Sequence, residues 1–481
     1  MATETVEAVD HSLLVAGEPQ ETGEWSEVRS PYDETVVGRV AQGDAALVGK
    51  AVDAAQSAFE EGGFTQADRA QVLDRAAHLV ADRVDELAAV IASEAGKPLK
   101  TAKLEAGRCV DTLTFSAVEA RRLTGATVPM EASPSGTGKL GVMLRLPYGV
   151  VGAISPFNFP LNLVAHKLGP AIAAGNAVVL KPAGQTPISA LKLAEILLEA
   201  GLPKGWLSVI PGPGSEVGKA LVESEQVRAI TFTGSSGVGW GIRSDAPHKK
   251  VNLELGSNSP LIVDADGDWE TAAEKAKLHA FSHAGQSCIS IQRILVHEDI
   301  ADSFTERFVE HTQTLRVGDP LDPETDVGPL ISRDDRDRVK EWVDEAVADG
   351  AELLAGGELV DEDRCLAPTI LGSPSREAKV WREEVFGPVA TIHRFSGFDE
   401  ALAMANDSKF GLQAGVFTST LERGLQAART LHFGGVLINE VPTFRADQQP
   451  YGGVKDSGNT REGPAYAIQE LTEERFVSLQ G

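Results

Sequence analysis

Cys288 stands in HAGQSCISIQ, Glu254 in LELGSNSP and Asn158 in PFNFP, and together these three side chain types could carry out chemistry at a carbonyl carbon. A cysteine thiolate is a nucleophile. A carboxyl that follows an apolar strand and precedes a glycine can be half-buried with a raised pKa, which suits a general base. An amide held between two prolines offers N–H donors to an oxyanion. Each also has a plain structural reading: a small buried hydrophobe, a carboxylate bonded to backbone N–H groups, and a turn former.

A second set of residues suits a phosphorylated ligand. Gly234-Ser235-Ser236-Gly237-Val238-Gly239 lies between a predicted strand and a predicted helix, where glycines admit a pyrophosphate to free helical N–H groups. Lys181 ends the apolar run AVVLKP, and ligands of doubly wound sheets bind at the carboxyl ends of strands. A loop of ordinary function and a surface lysine are the alternatives.

The elements that must position these groups alternate. GVVGAIS, AVVLKP, LSVIPG and AITFTG are short apolar runs separated by helical stretches such as LNLVAHKLGPAIAAG and SALKLAEILLEAG. That alternation predicts an α/β fold whose parallel sheet is covered on both faces, in the doubly wound, Rossmann-type arrangement. Helical periodicity precedes it in DAALVGKAVDAAQSAFEEG and in ADRAQVLDRAAHLVADRVDELAAVIASEAGKP. After Glu254 the pattern restarts with SPLIVDADGD, SIQRILVHE and GPVATIHRF, a second α/β unit. KLGVMLRLPYG and the tail ERFVSLQ alternate like strands that need an edge to pair with, in this chain or in another subunit.

Composition narrows the class. With 42% hydrophobic and 24% charged residues the chain is of globular type, and 481 residues exceed one ordinary core. No apolar run is long enough for a membrane span, and MATETVEAVDHSLLVAG has no basic segment before an apolar one, so a secretory signal is not expected. The net charge of −26 disfavours nucleic acid and anionic membranes; high-salt adaptation and a merely acidic soluble surface both fit it. Cys109, Cys288 and Cys365 form no CxxC pair, which fits a reducing cytoplasm, and the ten histidines show no ligand spacing, so no metal is expected.

PFNFP, KPxxQTP, FTGS, ELGSNSP, GQSC, EEVFGP and YGGVKDSG follow one another in this order, and with them the whole chain resembles the NAD(P)-dependent aldehyde dehydrogenase superfamily. The resemblance implies an aldehyde dehydrogenase-like fold: a cofactor domain over 1–125 and 150–253, a catalytic domain over 254–440, and a β-arm and tail over 126–149 and 441–481 that join a homodimer or homotetramer. It makes Cys288 the nucleophile, Asn158 an oxyanion donor, Glu254 the base that hydrolyses the thioester, and Lys167 a proton relay. It assigns Ser155, Pro156, Phe157, Lys181, Gly184, Gly234, Ser235, Gly239, Glu384 and Phe386 to the cofactor. Gly184 stands where NAD-preferring members often carry glutamate, so NADP is expected to be accepted, and even preferred, over NAD. ELGS replaces ELGG at Ser257, and SGNTREG replaces SGxGREG.

EAGRCVDTL, SCISIQRI and NEVPTFRADQQPYGG resemble the branch of lactaldehyde, phosphonoacetaldehyde and glyceraldehyde-3-phosphate-type dehydrogenases. This implies a small polar or anionic aldehyde facing Arg108, Arg293 and Arg445, each of which can equally be a structural ion-pair partner. Three alternatives are weaker. A CoA-acylating semialdehyde dehydrogenase has less use for Glu254. A cysteine hydrolase needs a histidine base, for which only His283 is near. A non-catalytic relative would be expected to lack Cys288, Glu254 or Asn158.

Overall fold

Near-continuous runs of Val, Ile, Leu and Ala form the strands of a seven-stranded sheet in the computed structural model, which describes residues 9–480. Across the sheet the order is Lys250–Glu254, Val227–Thr233, Val150–Ile154, Ala177–Lys181, Leu207–Val209, Leu13–Val15 and Glu18–Gln20. The first five are parallel, and the last two add an antiparallel edge. Every residue of Val150–Ile154 and Ala177–Lys181 is buried, as a parallel sheet covered on both faces requires. The chain order reverses beside Val150–Ile154, which makes the crevice next to that strand a topological switch point.

Register lines up the carboxyl ends. Ile154 pairs with Lys181 and with Phe232, and Thr233 pairs with Glu254. The loop holding Asn158, Lys181, the Gly234 loop and Glu254 therefore leave the sheet at one edge. The helical stretches expected before residue 125 form four helices: Ala45–Glu61, Gln66–Asp82, Val84–Ala95 and Leu99–Arg122. Asp44 caps the first by accepting from Leu47 N–H at 2.8 Å, and Thr65 with Asp68 closes the second in a capping box.

A second seven-stranded sheet runs Glu352–Ala355, Thr369–Gly372, Val389–Phe395, Ile291–His297, Ser259–Val263, Gln413–Phe417 and Gly435–Ile438. Only its first strand is antiparallel. Between the helix Trp269–Phe281 and the strand Ile291–His297 the chain reverses through three successive left-handed residues: His283 (φ 52°), Ala284 (φ 53°) and Gly285 (φ 69°). Such a backbone is costly at a non-glycine residue and persists only where packing enforces it. At Gly285 a side chain would also strike the Gly387 backbone. This reversal carries Cys288.

The edge-seeking strands find each other. Thr472–Gln480 pairs antiparallel with Lys139–Pro147 over nine residues, and Ala126–Val128 covers the other side. The edge that the tail's alternation calls for is thus supplied within the chain, by Lys139–Pro147. Among the described residues no helix is long and apolar enough to cross a membrane, and no cluster of His, Cys, Asp and Glu could hold a metal ion. Residues 1–8 of the acidic start lie outside the described residues.

Candidate active site

Cys288 sits in the loop before the central strand Ile291–His297, and its Sγ is 2.8 Å from the Tyr451 hydroxyl. Burial pushes the thiol up to about 12, against the hydrogen bond from Tyr451, which lowers it. The Asn158 amide donates to the Gln286 carbonyl at 2.9 Å, two residues before the thiol. An amide has two N–H groups, so one remains for another acceptor. Gln286 is itself fixed, accepting from Ile331 N–H at 2.9 Å and donating to the His283 carbonyl at 3.1 Å.

Behind the thiol lie two buried carboxyls and two cations. Glu462 is 3.0 Å from Arg445 Nη2 and 3.7 Å from Lys167 Nζ. Although burial raises its pKa, these two charges bring it below the ordinary carboxylate value. Glu254, by contrast, accepts no hydrogen bond on either oxygen. Burial, reinforced by the charge of Glu462, drives its pKa well above that of a free glutamate. Lys167 donates to Thr233 Oγ1 at 2.6 Å and to Thr231 Oγ1 at 3.3 Å, and burial lowers its pKa. The two carboxyls are thus pushed in opposite directions, the pattern that separates acid and base roles. Gly452 is required beside Glu254, because a Cβ there would lie 2.7 Å from Oε1.

The three arginines part company. Arg108 and Arg445 line, with Cys288 and Tyr451, a narrow cleft. Arg108 donates Nε and Nη2 to Asp447 at 3.0 and 2.8 Å. Arg445 stacks on Tyr451 at 3.8 Å from the ring centroid, and its Nε is buried without a hydrogen-bond partner. Asp447 also accepts from Asn162 at 3.1 Å and lies 2.9 Å from His166 Nε2. Burial raises its pKa, but His166 and Arg108 hold it well below the usual carboxylate range.

Arg293 is a correction to the expected substrate set. It lies on a central strand of a sheet covered on both faces, so its side chain enters the interior. There it donates to the carbonyls of Asn258, Met404 and Ala405 at 3.0–3.3 Å. His283 is equally internal: its ring nitrogens have no partner, and it packs edge-on against Phe159 rather than against the thiol. A cysteine–histidine pair is thus not formed here.

The nucleotide side has the features of a dinucleotide cradle. Ser235 precedes the ten-residue helix Ser236–Asp245, and Cβ atoms at Gly237 or Gly241 would meet nothing within 4 Å. Gly234 and Gly239, by contrast, pack closely on the Phe232 ring and on Leu255. Val238 and Trp240 stay exposed on that helix, 55% and 36%, an apolar surface suited to a flat ring. Lys181 is buried at the strand end, donates only to the Pro182 carbonyl at 3.0 Å and forms no ion pair among the described residues. Gly184 is exposed with nothing near its Cβ position.

Ser155 N–H bonds the Lys181 carbonyl at 3.2 Å, tying the loop of Pro156 and Asn158 to the strand that ends in Lys181. Phe157 meets Phe386 edge-on, centroids 5.8 Å apart, and Phe386 has φ 48°. Glu384 accepts from Ser257 N–H at 2.8 Å, and burial raises it to about 7. Ser257 in place of glycine leaves that backbone donor intact. The residues therefore fit a nicotinamide dinucleotide.

Tyr451, Glu462, Asp447 and His166 were not picked out in the sequence. Tyr451 lies within the quoted motif YGGVKDSG and Glu462 within SGNTREG, so the signal was present but unassigned. In that tail, Asn459 accepts from Leu253 N–H at 2.9 Å and donates to Val251 O at 3.0 Å, clamping the strand that ends in Glu254.

A parallel sheet whose carboxyl edge gathers a glycine-bearing helix start, a buried lysine, a thiol, an amide donor and a buried carboxyl is the arrangement of a nucleotide-dependent oxidoreductase. Residues 18–477 match the aldehyde dehydrogenase family, and the chain belongs to it. It is an NAD(P)-dependent aldehyde dehydrogenase by family. It is 46% identical to a 3-sulfolactaldehyde dehydrogenase of Priestia aryabhattai over 477 residues, 99% of each chain. Aldehyde dehydrogenase 21 of Physcomitrella patens, solved with the reaction product succinate, superposes with a TM-score of 0.95 at 37% identity over 99% of each chain. A glyceraldehyde-3-phosphate dehydrogenase from Methanocaldococcus jannaschii, solved with NADP, does so at 0.91 and 37%, covering 96% of this chain and all of that one.

Proposed function

We propose that this enzyme oxidises a small polar or anionic aldehyde to its carboxylic acid through a covalent adduct on Cys288, and that it accepts NADP alongside NAD. The observation carrying this reading is that the thiol shares a narrow cleft with two guanidinium groups, Arg108 and Arg445, and with no acidic lining side chain. Arg108 keeps N–H groups beyond the two given to Asp447, and Arg445 keeps its buried Nε–H, so both retain donors for an anion. The names of relatives agree: sulfolactaldehyde is short and anionic, aspartate semialdehyde is short and carries a carboxylate, and lactaldehyde is short and hydroxylated.

In this reading the Cys288 sulfur forms a bond to the aldehyde carbon, and the carbonyl oxygen becomes an oxyanion. The free N–H of Asn158 and the Cys288 backbone N–H donate to it. As the oxyanion re-forms the C=O bond the carbon gives up its hydrogen with the bonding pair, leaving a thioester on Cys288; a nicotinamide held by the residues above would supply the acceptor for that hydride. Glu254 then takes a proton from the water that opens the thioester on Cys288. Lys167, held by Thr231 and Thr233 between the two carboxyls, carries that proton away. The site's demand that Glu254 be deprotonated favours alkaline conditions, because burial holds its proton.

The test is reduced-cofactor absorbance with a panel of aldehydes, for wild type and Cys288→Ser. Short carboxylate-, sulfonate- or phosphonate-bearing aldehydes should lead, and the variant should lose turnover while still binding NADP. Preference for long alkyl or aromatic aldehydes, or turnover by the variant, would refute the reading. We also place the protein in the cytoplasm, on its free cysteines, and assign it to a homodimer or homotetramer. Leu140, Leu144, Phe476 and Leu479 stand exposed on the β-arm and would be covered by a second copy. A monomer mass by light scattering would overturn that assignment.

A further inference from the structure

We infer that the Tyr451 hydroxyl is a catalytic hydrogen-bond donor to the Cys288 sulfur, where it eases formation of the reactive thiolate. The inference rests on Cys288 being the nucleophile.

Three observations carry it. First, the hydroxyl is 2.8 Å from Sγ, and none of the other groups assigned to the chemistry is bonded to that sulfur. Asn158 is turned to the Gln286 carbonyl, and neither carboxyl oxygen of Glu254 has a hydrogen-bond partner. Second, the phenol is fixed. Its backbone exchanges hydrogen bonds with Glu462 at 3.1 and 2.6 Å, and its ring packs with Ile289 and Leu412. Third, Arg445 lies over that ring at 3.8 Å and is itself anchored to Glu462 at 3.0 Å, with His166 Nε2 3.1 Å away. A cation there favours negative charge on the sulfur and polarises the phenol as a donor.

The donor stays neutral when it is needed. Burial and the adjoining thiol both make the phenol harder to ionise, so it is the sulfur that gives up its proton. A thiol taken out of water loses the solvation that stabilises its anion, and burial dominates at Cys288. A hydrogen bond to a charged sulfur replaces part of that solvation. Phenylalanine at 451 would keep the ring and its stacking with Arg445 and remove only the donor.

The experiment is the pH dependence of Cys288 alkylation by iodoacetamide, with the modified residue located by mass spectrometry. It needs no aldehyde and no turnover, so its outcome is independent of the proposed substrate and hydride chemistry. Tyr451→Phe should move the alkylation midpoint up by about one pH unit, roughly a tenfold loss of rate at a pH below both midpoints. The rising limb of kcat/KM should move in the same direction. Replacing Tyr451 with 3-fluorotyrosine, a more acidic phenol, should move the midpoint down, which a packing defect cannot do. An unchanged midpoint in either variant, or a downward move in Tyr451→Phe, would overturn the inference.

Discussion

Gly184→Glu isolates the choice between NADP and NAD. The position is exposed, its φ lies outside the left-handed region, and a Cβ there meets nothing within 4 Å, so the substitution is sterically free. A carboxylate placed about 5 Å from a ribose 2′-phosphate in water repels each unit of its charge by about 0.8 kcal/mol, hence about 1.6 kcal/mol for a dianion. Salt at physiological strength reduces this to about 1 kcal/mol. The same carboxylate can accept from the 2′-hydroxyl of NAD, worth about 1 kcal/mol more. The two effects together are about 2 kcal/mol, or roughly a 30-fold fall in the NADP/NAD ratio of kcat/KM. Steady-state kinetics with both cofactors measures it. A ratio unchanged within threefold would show that position 184 does not face the ribose, and strong NAD preference in wild type would refute NADP acceptance.

Glu254→Gln should slow thioester hydrolysis more than acylation, giving a burst of reduced cofactor followed by a slow steady state in rapid mixing. In wild type the hydrolytic rate should climb with pH well beyond 4.5, because the base works only when deprotonated and burial keeps its proton on. A rate flat from mildly acid to alkaline pH, or a variant with neither a burst nor a slower steady state, would remove Glu254 from that role. Arg293→Met should cost about 3 kcal/mol or more by orphaning three buried carbonyls, lowering Tm by several degrees. Its KM for anionic aldehydes should stay unchanged, and a selective rise in KM for anions would return Arg293 to the substrate site.

The strands of the two large sheets were legible because a strand buried on both faces is written as an unbroken apolar run. The short strands Val9–His11, Leu13–Val15 and Glu18–Gln20 were not, since three residues with polar neighbours carry no period. The left-handed turn at His283 and Ala284 was invisible for a different reason. Neither residue type favours that conformation strongly enough to announce it, and close packing around the turn imposes it. Cys288, Glu254, Asn158 and Lys167 stood out through the motifs around them. Arg108, Arg293 and Arg445 did not separate, because the difference between them is burial: Arg293 is enclosed by carbonyls, while the other two line the cleft.

The deepest feature of the site was out of reach of any local motif. Glu254 and Glu462 are both buried, yet their proton affinities move in opposite directions. Residue type cannot account for this, since both are glutamates. Position does: Arg445 and Lys167 both lie against Glu462, whereas Glu254 accepts no hydrogen bond on either oxygen. Ionised Glu462 in turn disfavours charge on Glu254. A carboxyl in direct contact with two cations would stay ionised and be a weak base, whereas one they reach only from a distance binds its proton more tightly and is stronger. Glu462 is therefore more than a structural acid: by holding both cations it makes its neighbour the better base. Glu462→Gln should free Arg445 and Lys167 to act on Glu254, lower the pH at which Glu254 ionises, and shift the hydrolytic limb toward acid. A limb that stays in place, or moves toward alkaline pH, would show that burial alone sets Glu254.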